Sequence, residues 1–252
     1  MGALHKGHLD LVYQANAVCD RVVCSIFVNP LQFNNPVDLR HYPRQLDKDA
    51  ELLKDAGCSA LFAPEKEAIF AAFTPRHYDL GGLDGYWEGP SRPGHFQGVV
   101  NAVERLFHYV RPDKTFFGEK DRQQLTILQH VARKYRWPED VIPCATIRSA
   151  DGLALSSRNT RLDATERIRA TILYKALTVA AKKAFRSSVE ATRHAVLAKI
   201  AEEPAVTVDY FGIADVDTLE PLTDWGDRKA ALALVAAQVG PVRLIDNLTL
   251  LR

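Results

Sequence analysis

Hydrophobic and polar positions in the first 147 residues alternate between short apolar runs and amphipathic helical patterns. The run 21–28 (RVVCSIFV) is β-branched and nearly uncharged, which is typical of a buried strand. Further strands are predicted over 59–62, 76–80, 114–117 and 141–147, and helices over 47–56, 98–110 and 121–135. Strands separated by helices of this length predict βαβ units and a parallel sheet.

The second part of the chain has a different order of elements. Two helical patterns, 163–185 and 188–201, come before three extended segments at 206–214, 230–239 and 241–250. This order predicts a smaller α+β domain. Because a strand ends and an Asp-Gly turn begins near 147–151, we expect one domain over 1–147 and a second over 148–252.

A glycine-rich stretch between these predicted elements, 81–98, shows no periodicity and is interpreted as an ordered loop. Such a loop could form a wall or lid that keeps water from a reactive intermediate.

Composition narrows the class of protein. A hydrophobic fraction of 47% and a charged fraction of 25% are typical of a globular chain. The formal net charge of +1 gives no electrostatic reason to expect a nucleic-acid or membrane-surface partner. No apolar run is long enough for a membrane helix, and the chain does not open on a signal-peptide pattern. The four cysteines lack CxxC spacing, so we expect reduced thiols in a cytoplasmic protein.

Candidate chemistry begins at the first residues, MGALHKGH, which run directly into an apolar helical pattern. His5 and His8 are thus expected at a helix N-terminus, where backbone N–H groups and the helix dipole favour an anion. Gly7 would let a phosphate approach the backbone closely. Alone, this motif leaves three interpretations open: a nucleotide site, two surface histidines, or half of a metal site.

Two further motifs follow predicted strands. Gly118–Asp121 (GEKD) lies at the carboxyl end of a strand, the edge at which open α/β sheets bind ligands. It could equally be a helix cap, with Asp121 as N-cap and Gln124 three residues later. The segment 151–159 (DGLALSSRN) places two hydroxyls and a guanidinium together, which suits a polyphosphate.

The order of these motifs points to a family. The chain carries, in sequence, HKGH (5–8), NPLQF (29–33), YPR (42–44), RPGHF (92–96), GEKDRQQ (118–124) and DGLALSSRN (151–159). This series resembles the pantothenate synthetase family over nearly the whole chain. The resemblance implies a Rossmann-like nucleotide-binding domain of the HIGH superfamily with a parallel sheet, plus a smaller C-terminal α+β domain carrying a KMSKS-like SSRN loop. It also implies a homodimer that requires Mg²⁺.

The activity implied by the resemblance is the ATP-dependent joining of pantoate and β-alanine. Pantoate would first form pantoyl adenylate and release pyrophosphate, and the β-alanine amine would then displace AMP. The partners are therefore expected to be small molecules (ATP, pantoate and β-alanine). Two rivals stay open: a nucleotidylyltransferase of the HIGH superfamily with a phosphate acceptor, and a truncated chain that binds nucleotide without catalysis. Against the first stand Gln32 and Gln124, where a phosphate acceptor would call for Arg or Lys.

The resemblance also assigns roles to residues. The catalytic group would comprise His8, His5, Lys120 and Arg158. Contacts to ATP would come from Met1, Gly2, Ala3, Leu4, His5, Lys6, Gly7, His8, Gly118, Glu119, Lys120, Asp121, Ile147, Leu155, Ser156, Ser157 and Arg158. Pantoate and β-alanine would be bound by Gln32, Gln124 and Asn29, and the metal ligands are not specified.

Some positions depart from the family's pattern. Leu155 stands in place of a Met, Arg122 in place of an aromatic residue, and Asn101 in place of a Thr. Family members also carry a strand that leads into the MGALH turn, whereas this sequence starts at the motif. We therefore expect the chain as given to lack a central strand that the fold needs.

Overall fold

The structure is a computed structural model that describes residues 2–32, 40 and 44–252, except for the side chain of Gln32. Four residues that the sequence analysis placed in motifs lie outside this description: Met1, Phe33, Tyr42 and Pro43.

The described chain divides into two compact units. Unit 1 extends to Glu119 and resumes over Gln123–Ala145, and unit 2 consists of Lys120–Arg122 and Thr146–Arg252. The division into domains at 147/148 stays a prediction. Lys120, expected in the first domain, groups with the residues of unit 2.

Unit 1 alternates helices with short parallel strands. Its helices are α1 (Lys6–Asn16), α2 (Leu46–Asp55), α3 (Lys66–Ile69), α4 (Glu88–Ser91), α5 (His95–Val110) and α6 (Arg122–Tyr135). Its strands are β1 (Val23–Ser25), β2 (Ala60–Phe62), β3 (Lys114–Gly118) and β4 (Asp140–Cys144). β1 pairs with β2 and β3 with β4, both in parallel. The predicted α/β class with parallel strands is confirmed.

Helix α1 is held by one apolar face. Val12 and Ala15 are buried on it, and they share a cluster with Val22 and Cys24 around β1 and with Leu53 of α2. Residues three and four apart lie on one side of a helix, so this spacing turns the other side, with Tyr13, to solvent. The cluster fixes the axis of α1, and therefore the position of the motif at its start.

Two strands are shorter than the apolar runs predict. β1 covers three residues of the predicted 21–28, because only these pair with β2. The strand predicted over 141–147 ends at Cys144, which lies opposite Gly118, the last residue of β3. Both strands end where the partner ends, since a ladder needs a second strand to accept and donate its hydrogen bonds.

The strand predicted over 76–80 is wrong. Two carboxamides of α5 take the place of a partner strand: Asn101 bonds the N–H and C=O of Arg76, and Gln97 bonds those of Tyr78, at 2.8–3.0 Å. These side chains lie four residues apart on one helix face, so they bond alternate residues of an extended segment. The backbone is satisfied by side chains, and no ladder forms.

The stretch 81–98 is not purely a loop. After turns near Gly82 and Gly85 it forms the short helix α4, and helix α5 begins within it at His95, three residues earlier than predicted. Gly89 is required by close packing, because a Cβ there would lie 1.8 Å from the carbonyl oxygen of Asp84.

Unit 2 combines helices with a three-stranded sheet, in agreement with the predicted α+β organisation, and the sheet is antiparallel. Its elements are α7 (Ala164–Ala170), α8 (Ile172–Lys183), α9 (Val189–Ala201), β5 (Val206–Ala214), β6 (Ala230–Val239) and β7 (Val242–Leu251). The sheet order is β5-β6-β7, with both neighbouring pairs antiparallel. The single helix predicted over 163–185 is divided at Thr171, the C-cap of α7. Its N–H and its hydroxyl both donate to the Ile168 carbonyl oxygen, at 3.1 and 2.7 Å, which is a tighter turn than the α-helical one.

The core of unit 2 lies between these helices and one face of the sheet. Leu173 and Leu177 of α8, Ile200 of α9, Val235 of β6 and Leu250 of β7 are among its buried members. Asp163 and Glu166 form a capping box that fixes the start of α7. Among the residues described, no helix combines the length and apolarity needed to cross a bilayer.

Candidate functional site

The HKGH motif lies at the N-terminus of α1, as predicted. His5 is the N-cap, with an extended backbone, and its Nδ1 accepts a hydrogen bond from the Gly7 N–H at 3.1 Å. The His5 and His8 rings stack at 3.9 Å between centroids, with 20° between their planes. The structure therefore brings both imidazoles to the end of the helix where the dipole favours negative charge.

Asp49 of α2 anchors the turn that leads into α1. Its carboxylate is completely buried and accepts hydrogen bonds from the Ala3 N–H at 2.8 Å and the Leu4 N–H at 2.7 Å. Ala3 has a φ of 48°, a left-handed conformation that a non-glycine residue adopts only when its surroundings impose it.

Sequence reasoning missed Asp49, although one signal was available. Asp49 and Leu53 are the two buried residues of α2 and lie four apart, so an acid occupies a position that the amphipathic pattern reserves for an apolar side chain. A charge on the apolar face of a helix requires a partner.

Asn29 supports the short 3₁₀ turn Pro30–Gln32. It is 3% exposed, its Nδ2 donates to the Gly98 carbonyl oxygen at 3.0 Å, and its Oδ1 accepts from the Leu31 N–H at 3.1 Å. The backbone of Gln32 belongs to this turn, and its side chain lies outside the described residues. Asn29 thus fixes the backbone that carries Gln32.

Two adjacent glutamines open α6 and differ in environment. Gln123 is 3% exposed, and its carboxamide bonds the Leu83 and Tyr86 carbonyl oxygens and the Glu88 N–H at 2.8–3.0 Å. Gln124, the predicted pantoate residue, is half-buried. Gln123 is a second residue that sequence reasoning missed; it ties the stretch before α4 to α6.

The GEKD motif forms a 3₁₀ turn between β3 and α6. Gly118 is the last residue of β3, and Glu119–Asp121 make the turn. The Lys120 ammonium lies 3.4 Å from the Asp121 carboxylate, and the Lys120 side chain is 19% exposed. The backbone carbonyl of Lys120 accepts a hydrogen bond from the Asn247 side chain at 2.8 Å.

The segment 147–158 folds as a hairpin followed by a 3₁₀ turn. The Leu155 N–H bonds the Ile147 carbonyl oxygen at 3.0 Å, which places these two predicted ATP residues opposite each other. Ser156 caps the turn by accepting from the Arg158 N–H at 3.3 Å, and Ser157 is buried. The hairpin therefore sets where the Ser-Ser-Arg sequence begins.

The pKa values of Asp151, Cys24 and Cys144 are displaced from their ordinary values. Hydrogen bonds from Arg167 and Ser149 hold the pKa of Asp151 well below its usual value. Burial raises the pKa of Cys24 to about 12 and that of Cys144 to about 11, so both thiols stay protonated at neutral pH. In the part of the chain that the structure describes, no group of three or more His, Cys, Asp or Glu could hold a metal ion.

Each unit also contains an open cleft that the paired histidines do not line. The cleft of unit 2, of about 390 Å³, is lined in part by Arg148, Asp151 and Tyr174. The cleft of unit 1, of about 360 Å³, is lined in part by Leu31 and Asn101. The motif residues His5, His8, Lys120 and Arg158 line neither of these two clefts.

Comparison with known proteins gives concordant matches. The family model described as Pantoate-beta-alanine ligase matches residues 1–249. A pantothenate synthetase from Rubrobacter xylanophilus is 44% identical over 99% of this chain and 89% of its own length. One from Cereibacter sphaeroides is 45% identical over 98% of this chain and 88% of its own length.

Solved structures agree with these matches. The crystal structure of pantothenate synthetase from Thermus thermophilus superposes with a TM-score of 0.94 at 43% identity, covering 98% of this chain and 90% of that one. A pantoate-beta-alanine ligase from Francisella tularensis, complexed with beta-gamma ATP and beta-alanine, gives a TM-score of 0.79 at 32% identity, over 98% and 86% of the two chains.

Proposed function

Because the chain belongs to the pantoate–β-alanine ligase family, we propose that it joins (R)-pantoate to β-alanine at the expense of ATP. In the first step a pantoate carboxylate oxygen attacks the α-phosphorus of ATP, forming pantoyl adenylate and releasing pyrophosphate. In the second step the β-alanine amine attacks the acyl carbon of that anhydride. The C–O bond to AMP breaks, the amide of pantothenate forms, and the amine loses its proton.

The observation that carries this proposal is the stacked pair of imidazoles at the start of α1. The His5 and His8 rings lie 3.9 Å apart at a helix N-terminus whose backbone is pinned by Asp49. Adenylyl transfer requires little covalent help from a protein; it requires donors fixed where negative charge grows as pyrophosphate leaves. Paired histidines beside helix N–H groups meet that requirement.

The residues proposed to bind ATP come from several segments. In unit 1 they are Gly2 to His8, Gly118 and Glu119, preceded by Met1 outside the description. In unit 2 they are Lys120, Asp121, Ile147, Leu155, Ser156, Ser157 and Arg158. Lys120 acts as a point charge on phosphate, and Arg158 as a planar, multidentate donor. Of this set, His8, His5, Lys120 and Arg158 are the proposed catalytic residues.

Gln32 and Gln124 are proposed to bind pantoate, with Gln32 also beside β-alanine. A neutral carboxamide can donate to a carboxylate and accept from a hydroxyl, and pantoate carries both groups. A glutamine also avoids the salt bridge that would hold the attacking carboxylate in place. Asn29 contributes by fixing the turn that carries Gln32, because its own carboxamide bonds Gly98 and Leu31.

Mg²⁺ is proposed to accompany ATP. Magnesium is usually held by one or two carboxylates together with substrate phosphates, so it does not need a cluster of protein ligands. When bound, it would neutralise phosphate charge. We further propose that the enzyme is a homodimer and acts in the cytoplasm, as the resemblance and the reduced cysteines suggest.

The test is a pair of assays on the purified protein. Pantoate-dependent exchange of pyrophosphate into ATP reports the first step, and AMP release that requires both pantoate and β-alanine reports the whole reaction. AMP formation with both acids, and not with either alone, is the expected result. Pyrophosphate release with a phosphate acceptor in place of pantoate would instead support a nucleotidylyltransferase. Nucleotide binding without turnover would support a non-catalytic chain.

A further inference from the structure

We propose that Asp246 and Asn247 of β7, together with Arg148, are positioning residues that hold the Lys120 turn and the 147–155 hairpin in fixed register for phosphate binding. The inference rests on the proposed function, because it takes Lys120 and the Ser156–Arg158 turn as phosphate-binding groups. All of these residues belong to unit 2.

The centre of this arrangement is a buried ion pair. Arg148 donates to Asp246 through both terminal nitrogens, at 2.6 and 2.9 Å, and the two side chains are 15% and 4% exposed. The guanidinium also stacks on the Tyr174 ring at 4.1 Å. Two parallel bonds and a stacking face leave the guanidinium one orientation.

The same guanidinium closes the hairpin. It donates to the Gly152 carbonyl oxygen at 3.2 Å and to the Asn247 carbonyl oxygen at 3.1 Å, so it joins the hairpin turn to β7. Gly152 has a φ of +92°, and a Cβ there would lie 2.2 Å from the Tyr174 ring. The hairpin turn therefore packs closely against Tyr174, and its position there is fixed. Because Ser156 directly follows the second arm of the hairpin, its position is fixed as well.

Asn247 acts on the other face of β7. Successive side chains of a strand point to opposite faces, so Asp246 lies on the core face with Leu244 and Leu250, and Asn247 on the reverse. There its Nδ2 donates to the Lys120 carbonyl oxygen at 2.8 Å, across 127 positions of sequence. Its backbone N–H donates to the Asp246 carboxylate at 2.8 Å.

Asp246 and Asn247 thus hold two candidate phosphate-binding segments from opposite faces of β7. Asp246 holds the 147–155 hairpin through Arg148, and Asn247 bonds the Lys120 turn. A buried ion pair contributes little net stability compared with apolar packing, so stability alone does not account for it. What the pair does provide is fixed geometry, because both terminal nitrogens of Arg148 bond defined acceptors on Asp246, Gly152 and Asn247. A loosened Lys120 or Ser-Ser-Arg segment would stabilise the departing pyrophosphate less.

The experiment compares two variants with matched controls on the same strand. Asn247→Ala removes the bond to Lys120, and Thr249→Ala, on the same face and exposed, is its control. Arg148→Lys keeps the positive charge but cannot form the bidentate hydrogen bonds to Asp246. Its control is Arg243→Lys, which weakens the partly exposed pair with Asp209.

Two readouts are measured for each protein. The first is pantoate-dependent ATP–pyrophosphate exchange, with kcat and the KM for pantoate determined separately. We expect Asn247→Ala and Arg148→Lys to lower kcat by about fivefold or more, the equivalent of one hydrogen bond, with the KM for pantoate unchanged. The second is amide hydrogen exchange over 118–124 and 148–158, which we expect to quicken in the two variants and not in the controls.

The inference is overturned if both variants match their controls in kcat and in amide exchange. It is also overturned if they lower kcat and raise the KM for pantoate together in proportion to lost stability, since that is the signature of a structural role. A wild-type protein with no exchange activity contradicts the proposed function instead. Amide exchange then still decides whether Asn247 and Arg148 hold these segments.

Discussion

Asp49, Gln123, Asn101 and Asn29 are polar side chains that bond backbone rather than one another. Each is buried. Asp49, Gln123 and Asn101 bond peptide groups of distant turns or extended stretches, whereas Asn29 bonds the Gly98 carbonyl oxygen of α5 and the Leu31 N–H. A buried N–H or C=O without a partner would destabilise the fold, so such side chains determine which irregular segments can be buried. At the scale of residues, the candidate chemistry depends on these supports.

His8→Ala should slow the first step strongly while the protein stays folded. Removing one donor aimed at developing charge typically lowers the rate by about 10²–10³. Steady-state ATP–pyrophosphate exchange measures the effect, and circular dichroism checks the fold. His194→Ala is the control, because His194 lies on the exposed side of α9 and pairs only with Glu190 among the ion pairs described for it. Activity of His8→Ala within threefold of wild type would remove His8 from the mechanism.

Gln124→Ala and Gln32→Ala should weaken pantoate binding and leave ATP binding unchanged. Losing one hydrogen bond to an otherwise neutral partner amounts to about 0.5–1.5 kcal/mol. Calorimetric titration with each ligand measures both affinities. Gln129→Ala is a matched control on the same helix, since Gln129 bonds the Val141 carbonyl oxygen. Equal losses for pantoate and ATP would contradict the assignment.

At the scale of elements, each motif lies where one regular element meets another. HKGH begins α1, the GEKD turn joins β3 to α6, and the Ser-Ser-Arg sequence follows a hairpin arm. Element ends are where backbone groups remain available to a ligand, whereas the middle of a helix or ladder uses its own. Gln123 ties the stretch before α4 to α6 through the Leu83 and Tyr86 carbonyl oxygens, and the role of 81–98 as a wall or a lid stays a prediction.

The hairpin offers a test of pH dependence. The pKa of Asp151 is lowered by hydrogen bonds from Arg167 and Ser149, so its carboxylate contributes stability above the unfolded-state pKa of about 3.9. That contribution is lost as the pH falls below about 4 toward the folded-state value. Because the pair is about 40% exposed, its size is about 0.5 kcal/mol or less at pH 7.

Asp151→Asn should therefore lower the free energy of unfolding slightly at pH 7 and progressively less as the pH falls below about 4. Urea unfolding at a series of pH values from 7 down to below about 4 measures the difference in the free energy of unfolding between this variant and wild type. Asp227→Asn, at an exposed site, serves as the charge control. If the difference in the free energy of unfolding grew as the pH fell, the Asp151 carboxylate would not be stabilised in the folded state, and the prediction would be wrong.

At the scale of the whole molecule, the four cysteines all lie in unit 1 and differ in access. Cys24 and Cys144 are 2% and 1% exposed, whereas Cys19 is only partly buried. Thiolate is the reactive form, and burial holds the pKa of the first two at about 12 and about 11. Unit 2 has no cysteine in its sequence, so alkylation reports on unit 1 alone.

Iodoacetamide at pH 8 should modify Cys19 readily and Cys24 and Cys144 at least about a hundredfold more slowly. Burial shields these two thiols from the reagent and raises their pKa to about 12 and about 11, so that at pH 8 no more than about 10⁻³ of either is thiolate. Peptide mass spectrometry over a time course measures the three rates. The same reaction in urea is the control, since the rates should converge once unit 1 unfolds. Fast native labelling of Cys24 would contradict the packing around β1.

Local patterns in the sequence determined the elements and the kind of chemistry. The apolar helical pattern after HKGH, the β-branched run 21–28 and the three extended segments after residue 205 predicted helices, strands and their order, because these depend on neighbours within a few residues. The ordered motifs predicted the family, which the comparisons confirm. The roles of single site residues stay predictions.

Tertiary structure alone decided which distant groups meet. The burial of Asp49 against Ala3 and Leu4, the pairing of Asn101 with Arg76, and the bond from Asn247 to Lys120 join residues that are 45–46, 25 and 127 positions apart. No local pattern encodes such a contact, because its partner is chosen by how whole elements pack. Buried polar groups must then bond whatever backbone the packing brings to them.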